Sequence, residues 1–288
     1  MKMIQKHPLA SYFILAFAIS WAGVLLVIGT TGIPGSAENT KRLFPFVYLA
    51  MLAGPSVAGV LMTGLSGGKG GLELLFRSFS WRVGVRWYAI ALMTAPIVVG
   101  ATLWALSTTS AVFRPALFTS ADKASVLLFG IVVGMGAGIF EELGWTGFAT
   151  PRIRRRRGPL STGLIVGLLW GAWHMLAIAW GGLGLWRPLP PLLALLVSNF
   201  SFLPPYRVLM VRVNDGCGSL LVAMVMHTSL TMTLLVFGPS GISGMSLLIF
   251  DVALAGALWV VVAAVALADR RSLPRPFASL SRAGGHLS

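Results

Sequence analysis

Eight apolar blocks of about 20 residues, separated by short polar gaps, constrain this chain more than any other feature of its sequence. A helix rises about 1.5 Å per residue, so a block of this length matches a hydrocarbon core roughly 30 Å thick. Inside lipid every backbone N–H and C=O needs an internal partner, which a helix supplies along its own length. The blocks place spans at 9–29, 44–66, 87–107, 124–149, 161–182, 189–210, 217–238 and 243–267. They occupy nearly the whole chain, so the expected architecture is all-α: one membrane domain over 1–288, a polytopic bundle of about eight transmembrane helices. Composition agrees, with 10% charged residues and a mean hydropathy of +0.85, against about 25% charged in a soluble domain.

The formal charge of +14 raises the question of nucleic acid, but position decides against it. The basic residues fall in the gaps, where positive charge fixes the orientation of a membrane protein. Seventeen of the 22 lie on one side: Lys2 and Lys6, the gap at 67–86, the arginine run around 152–157, Arg212 with Arg207 nearby, and the C-terminal tail. Lys41, Arg42, Arg114, Lys123 and Arg187 lie on the other. This bias places both termini in the cytoplasm of a cell-membrane protein, with a prokaryotic plasma membrane as the expected location. The bilayer, with its anionic headgroups, is the natural partner of the basic gaps. Cys217 is the sole cysteine, which excludes an internal disulfide framework. The first apolar run is too long for a typical signal peptide and reads as an uncleaved span.

Three carboxylates lie within spans, Glu141 and Glu142 in the fourth and Asp251 in the eighth, together with two histidines, His174 in the fifth and His227 in the seventh. His7 and His286 lie near the termini. An ionisable group at membrane depth costs at least about 2.5 kcal/mol, so its default reading is functional. Small residues repeat every four positions toward these groups: Gly130, Gly134 and Gly138 before the glutamates, then Gly163, Gly167 and Gly171 before His174. Ser219, Ala223, His227 and Thr231 repeat the pattern in the seventh span. Residues three or four apart share a helix face, and small ones let membrane helices approach closely. The polar groups therefore aim at neighbouring helices. Counted from the span ends, Glu141, His174 and His227 share one depth, in a cavity expected to open toward the cytoplasm.

A carboxylate and two imidazoles at one level support two chemistries. The glutamate can take a proton from water while the histidines stabilise an oxyanion. Alternatively Glu141, His174 and His227 can hold a divalent metal such as zinc that activates the water. Neither is chosen by spacing, so the cofactor, none or a metal, stays open. Glu142 is then the neighbour that modulates Glu141, because adjacent carboxylates resist double ionisation. Trp145, Trp170 and Trp173 flank these residues and read either as cavity walls or as packing. Ser198 and Asn199 precede Pro204 and Pro205, which kink or end the sixth span. Outside enzymes, a proton-coupled carrier would also use buried Glu and His, and a scaffold would need neither.

Three motifs resemble the CPBP family of intramembrane proteases, which includes CAAX-processing prenyl endopeptidases and bacteriocin-processing or immunity proteins. The family's Glu-Glu-x-x-x-Arg stands here as Glu141-Glu142-Leu143-Gly144-Trp145-Thr146. Its aromatic-x-x-x-His is Trp170 to His174, and its His-x-x-x-Asn/Asp is His227 to Thr231. The likeness covers about 120–240 and implies an intramembrane endopeptidase acting on a membrane-associated, in some members prenylated, peptide or protein. It implies that Glu141 and His174 activate water, and that His227 with Thr231 stabilises the oxyanion. Two positions depart. Thr146 replaces the arginine that pairs with Glu142, which predicts a loosely held, readily protonated Glu142. Thr231 replaces an amide or carboxyl group with a hydroxyl, which predicts a weaker oxyanion site. A catalytically inactive homologue serving as a membrane binding protein is the alternative these departures raise.

Overall fold

The computed structural model describes residues 6–272; Lys2, Arg275, Arg282 and His286 lie outside the described residues. The chain is all-helical, and eight stretches among the described residues are long and apolar enough to cross a membrane. The helices are α1 (Pro8–Ile28), α2 (Ala37–Arg77), α3 (Val85–Ser107), α4 (Lys123–Gly144), α5 (Pro159–Ala177), α6 (Pro191–Phe200), α7 (Leu203–Cys217), α8 (Leu220–Phe237) and α9 (Gly244–Ser272). Helices α6 and α7 together form the sixth span, broken at Ser201 and Phe202. Pro204 and Pro205 sit in the first turn of α7, where a missing N–H leaves no helical bond unmade.

Of the gaps expected from the sequence, 211–216 is helical and 67–86 is helical in its first part. The glycine patch at 67–71 lies inside α2, which turns at Gly68 with φ 57° and ψ −148°, a conformation open to glycine, and continues to Arg77. The segment 211–216 is the last part of α7 rather than a loop. That helix ends at Gly218, whose left-handed backbone (φ 65°) lets its N–H reach Asn214 O at 2.7 Å. Ser219 then caps α8 by accepting from Val222 N, and its hydroxyl donates to Ser80 O at 2.6 Å. Hydropathy ends a span where polar residues begin, but Arg212, Asn214 and Asp215 are tolerated in a helix emerging from the apolar layer.

The small-residue faces pack as their spacing predicts. A methyl group added at Gly134 would lie 2.9 Å from Thr228 O, and one at Gly138 would strike Thr228 Oγ1 and Met224 O, so α4 presses its glycine face on α8. On α5, Gly163 faces Val208, Gly167 faces Pro204 at 2.6 Å, and Gly171 faces Asn199 O. Gly144 meets Pro55 O, and Gly59 in turn meets Gly144. Each crossing is close enough for backbone to touch backbone. The polar residues at the ends of these glycine rows are thereby carried to one place between α4, α5, α7 and α8.

Candidate active site

Glu141 and Glu142 close the regular part of α4, and the chain then widens into a π-helical turn, Trp145–Ala149. Such wide turns are frequent at functional sites because they re-aim side chains within an otherwise regular helix. Here the turn is closed by Thr150 Oγ1 donating to Trp145 O at 2.7 Å. Adjacent residues on a helix point about 100° apart, so the two glutamates meet different neighbours.

Glu141 is 3% exposed. Its Oε2 accepts from the indole N–H of Trp170 at 2.8 Å and from that of Trp145 at 3.3 Å. Its other oxygen, Oε1, accepts no side-chain hydrogen bond from the described residues. Glu142 is fully buried and fully engaged. Arg207 on α7 grips it with both guanidinium arms, Nη1 to Oε2 at 2.8 Å and Nη2 to Oε1 at 2.9 Å. The Thr146 hydroxyl donates to Oε2, and His227 Nδ1 lies 2.7 Å from Oε1.

The loosely held Glu142 expected from Thr146 is therefore corrected. The cation comes from another helix, and threonine contributes a hydrogen bond in place of the missing arginine. Arg207 is also not a surface residue: its side chain is 0% exposed, and Gly167 lets α7 come near enough to deliver it. Spacing along α4 could not reveal this partner, since it lies 65 residues away. One signal was available, a lone arginine inside an apolar span, which carries the same functional presumption as a buried glutamate.

His227 bridges the two carboxylates. With Nδ1–H donating to Glu142, Nε2 is directed toward Glu141, 3.9 Å from Oε2. A carboxylate on one ring nitrogen fixes the tautomer and the aim of the other. His174 does not hydrogen-bond Glu141 directly. Its Nδ1 is 2.9 Å from the backbone oxygen of Trp170, so Nδ1–H is the donor and Nε2 is left free. Trp170 is thus the hub: it donates to Glu141, orients His174, packs its ring edgewise on His227 at 4.9 Å, and lies under the Arg207 guanidinium at 4.4 Å. Trp145 joins it as a donor to Glu141, while Trp173 packs on His174 at 4.7 Å and donates to Ser20 Oγ. Trp145 and Trp170 do more than wall or pack, because both donate to Glu141, whereas Trp173 packs against His174.

Thr231 follows one turn after His227 on α8, half-buried and without a side-chain hydrogen bond to the cluster. Asp251 is buried on α9 and stands outside the hydrogen-bonded cluster. Ser198 and Asn199 bond to carbonyls of their own helix, Ala194 O and Leu195 O. The expected cavity is not open at the cluster, for Glu141 and His227 are almost wholly enclosed. A space of about 270 Å³ does come within one turn of Glu142, lined by Thr146, Gly147, Arg152 and Arg155 among others. Arg152 and Arg155 belong to the arginine-rich segment that follows α4.

No three His, Cys, Asp or Glu side chains among the described residues come together in a way that could hold a metal ion. The ring nitrogen of His227 nearest Glu142 is committed to that carboxylate, and Arg207 already supplies a cation there. As arranged, the described side chains form no three-ligand cluster for a metal ion.

An enclosed glutamate with one oxygen free thus faces a histidine aimed by a second, ion-paired glutamate, an arrangement consistent with a catalytic site. Residues 123–233, from the first residue of α4 into α8, match the family described as type II CAAX prenyl endopeptidase Rce1-like. The chain carries a domain of this family, and the matched stretch contains Glu141, Glu142, His174, Arg207, His227 and Thr231. No curated protein matches the chain.

Proposed function

We propose that this protein is an intramembrane endopeptidase that hydrolyses a peptide bond of a membrane-associated substrate. The observation that carries the reading is the division of labour between the glutamates. Glu142 is consumed by Arg207, Thr146 and His227, whereas Glu141 keeps Oε1 free beside the His227 imidazole.

In this reading a water enters beside Oε1 of Glu141, which takes its proton as the water oxygen attacks the scissile carbonyl carbon. His174, its Nδ1 occupied by Trp170 O, offers Nε2 as a second acceptor that fixes the water. The carbonyl oxygen becomes an oxyanion within reach of His227, which as the imidazolium donates from Nε2 while Nδ1–H stays on Glu142. Thr231 adds a hydroxyl donor from the same face of α8. Donors fixed in advance in a dry site are worth more than the same donors in water. Glu141 then passes its proton to the departing amine, which breaks the C–N bond and restores the carboxylate. Arg207 holds Glu142, and Glu142 holds the His227 ring.

The same reading places the whole chain in one membrane domain with both termini on the cytoplasmic side, so the arginine-rich connection between α4 and α5 faces the cytoplasm. It assigns a substrate presented at that face, a prenylated C-terminus being one class the family match suggests. The departure at position 146 no longer favours an inactive homologue, since Arg207 fills the vacant charge role.

The test is cleavage of membrane-tethered peptides by the purified protein in liposomes. Glu141→Gln is expected to lose at least about 100-fold in rate, the lower bound for removing a positioned base, and EDTA is expected to leave the wild-type rate unchanged. Wild-type cleavage by Glu141→Gln would overturn the proposal.

A further inference from the structure

A second polar space lies away from the catalytic cluster, where the start of α1 meets the connection between α4 and α5. It has a volume of about 570 Å³ and is bordered by Lys6, Arg152, Arg155, Arg156 and Arg157. Among the described residues no Asp or Glu lines it. The neighbouring arginines differ in how they are employed. Arg152 donates to Phe148 O and Ser66 Oγ, and Arg154 is tied to Asp215 by two hydrogen bonds at 3.0 Å. Lys6, Arg155, Arg156 and Arg157 have no ion-pair partner among the described residues. Gathering cations around one hollow without a counter-charge is unfavourable unless an anion completes it, since like charges repel.

The remaining walls say what kind of anion. Ile153 and Ile165 supply an apolar side, and Leu9 opens the first transmembrane helix beside them. The space therefore sits where apolar spans end and the basic run begins, the depth at which a phospholipid headgroup lies above its acyl chains. We infer that this hollow is a binding site for an anionic glycerophospholipid, with the phosphate held by Arg155, Arg156 and Arg157 and an acyl chain descending along Ile153 and Ile165. A free phosphate shares the charge but makes no use of the apolar wall, so the lipid is the occupant the site fits. Bound there, the lipid bridges α1 to the segment that follows α4, the helix that carries both glutamates.

The experiment uses the full chain in detergent. Binding of dioleoylphosphatidylglycerol, dioleoylphosphatidylcholine and inorganic phosphate is measured by native mass spectrometry and by the shift each produces in melting temperature. Wild type is expected to retain phosphatidylglycerol and to be stabilised by it, while phosphatidylcholine and phosphate give no comparable shift. Replacing Arg155, Arg156 and Arg157 with alanine is expected to weaken phosphatidylglycerol binding about 100-fold, at roughly fivefold for each cation removed. Replacing the same three with lysine is expected to keep most of the binding, and its melting curve without lipid separates a folding defect from a lost site. Equal binding of the two lipids, an equal effect of phosphate alone, or full binding by the alanine variant would each overturn the inference.

Discussion

Replacing Arg207 with alanine withdraws the guanidinium that pairs with both oxygens of Glu142. The carboxylate is 0% exposed, so water cannot take the cation's place. Removing one partner of a buried ion pair costs about 3–5 kcal/mol, because the other charge is left uncompensated. Glu142 keeps the bonds from Thr146 and His227, which sets the expectation at the lower end, about 3 kcal/mol. At a few degrees per kcal/mol for a protein of this size, the melting temperature falls on the order of 10 °C. Arg207→Lys keeps the charge but loses the two-pronged grip and the flat face over Trp170, with a smaller loss of about 2 kcal/mol. Introducing Thr146→Arg alone brings a second guanidinium to a carboxylate that already has one, and is destabilising by about 1–3 kcal/mol. In the Arg207→Ala background the same change restores a cation from α4 and recovers part of the lost stability. Thermal unfolding in detergent, followed by tryptophan fluorescence, reads all four variants against wild type. An Arg207→Ala melt within about 2 °C of wild type, or a wild-type background stabilised by Thr146→Arg, would refute the assignment of Arg207 as the cation of Glu142.

Trp170→Phe keeps a ring beside His227 but removes the 2.8 Å donor to Glu141, and about a tenfold loss of cleavage rate is expected, since a hydrogen bond to a charged group is worth about 1.5–3 kcal/mol. Trp145→Phe, losing a 3.3 Å bond, is expected to lose less, and equal losses in steady-state kinetics would contradict that ranking. Gly138→Ala drives a methyl group into Thr228 Oγ1 and Met224 O and is expected to destabilise by about 1–3 kcal/mol, whereas Gly100→Ala, facing open space, leaves the melt unchanged. Asp122 caps α4 by accepting from Ser125 N, and hydrogen bonds from Ser125 hold its carboxyl below the ordinary value. A depressed pKa gives stability that is present above the unfolded value and lost as pH falls through the folded one. Hydrogen exchange at the start of α4 is therefore expected to quicken below about pH 4, and an Asp122→Asn variant should lack that step.

The comparison between sequence and structure turns on range along the chain. Each span was legible because hydropathy needs only 20 consecutive residues, and each glycine face because its period is that of a single helix. Both depend on neighbours within a few turns, and both survive in the fold: Gly138 touches α8 and Gly171 touches α6. The convergence of Glu141 and His227 also followed from depth, since helices crossing one slab bring equal depths together. Where a span ends was less legible, because hydropathy cannot distinguish a loop from a polar helical turn. Thus 211–216 and the first part of the 67–86 gap, 67–77, fold as helix.

What the sequence determined by itself is the class of molecule, a membrane helix bundle, and the set of polar side chains it buries. That follows from solvent: apolar blocks have one favourable environment, and the few charges inside them must meet one another. The tertiary structure alone decided which meets which. Arg207 joins Glu142 across 65 residues, and His174 reaches the glutamates through Trp170 rather than directly. Such pairings depend on how α4, α5, α7 and α8 are rotated and how closely they pack. No single helix encodes that rotation; it is fixed by the glycine contacts of all four together.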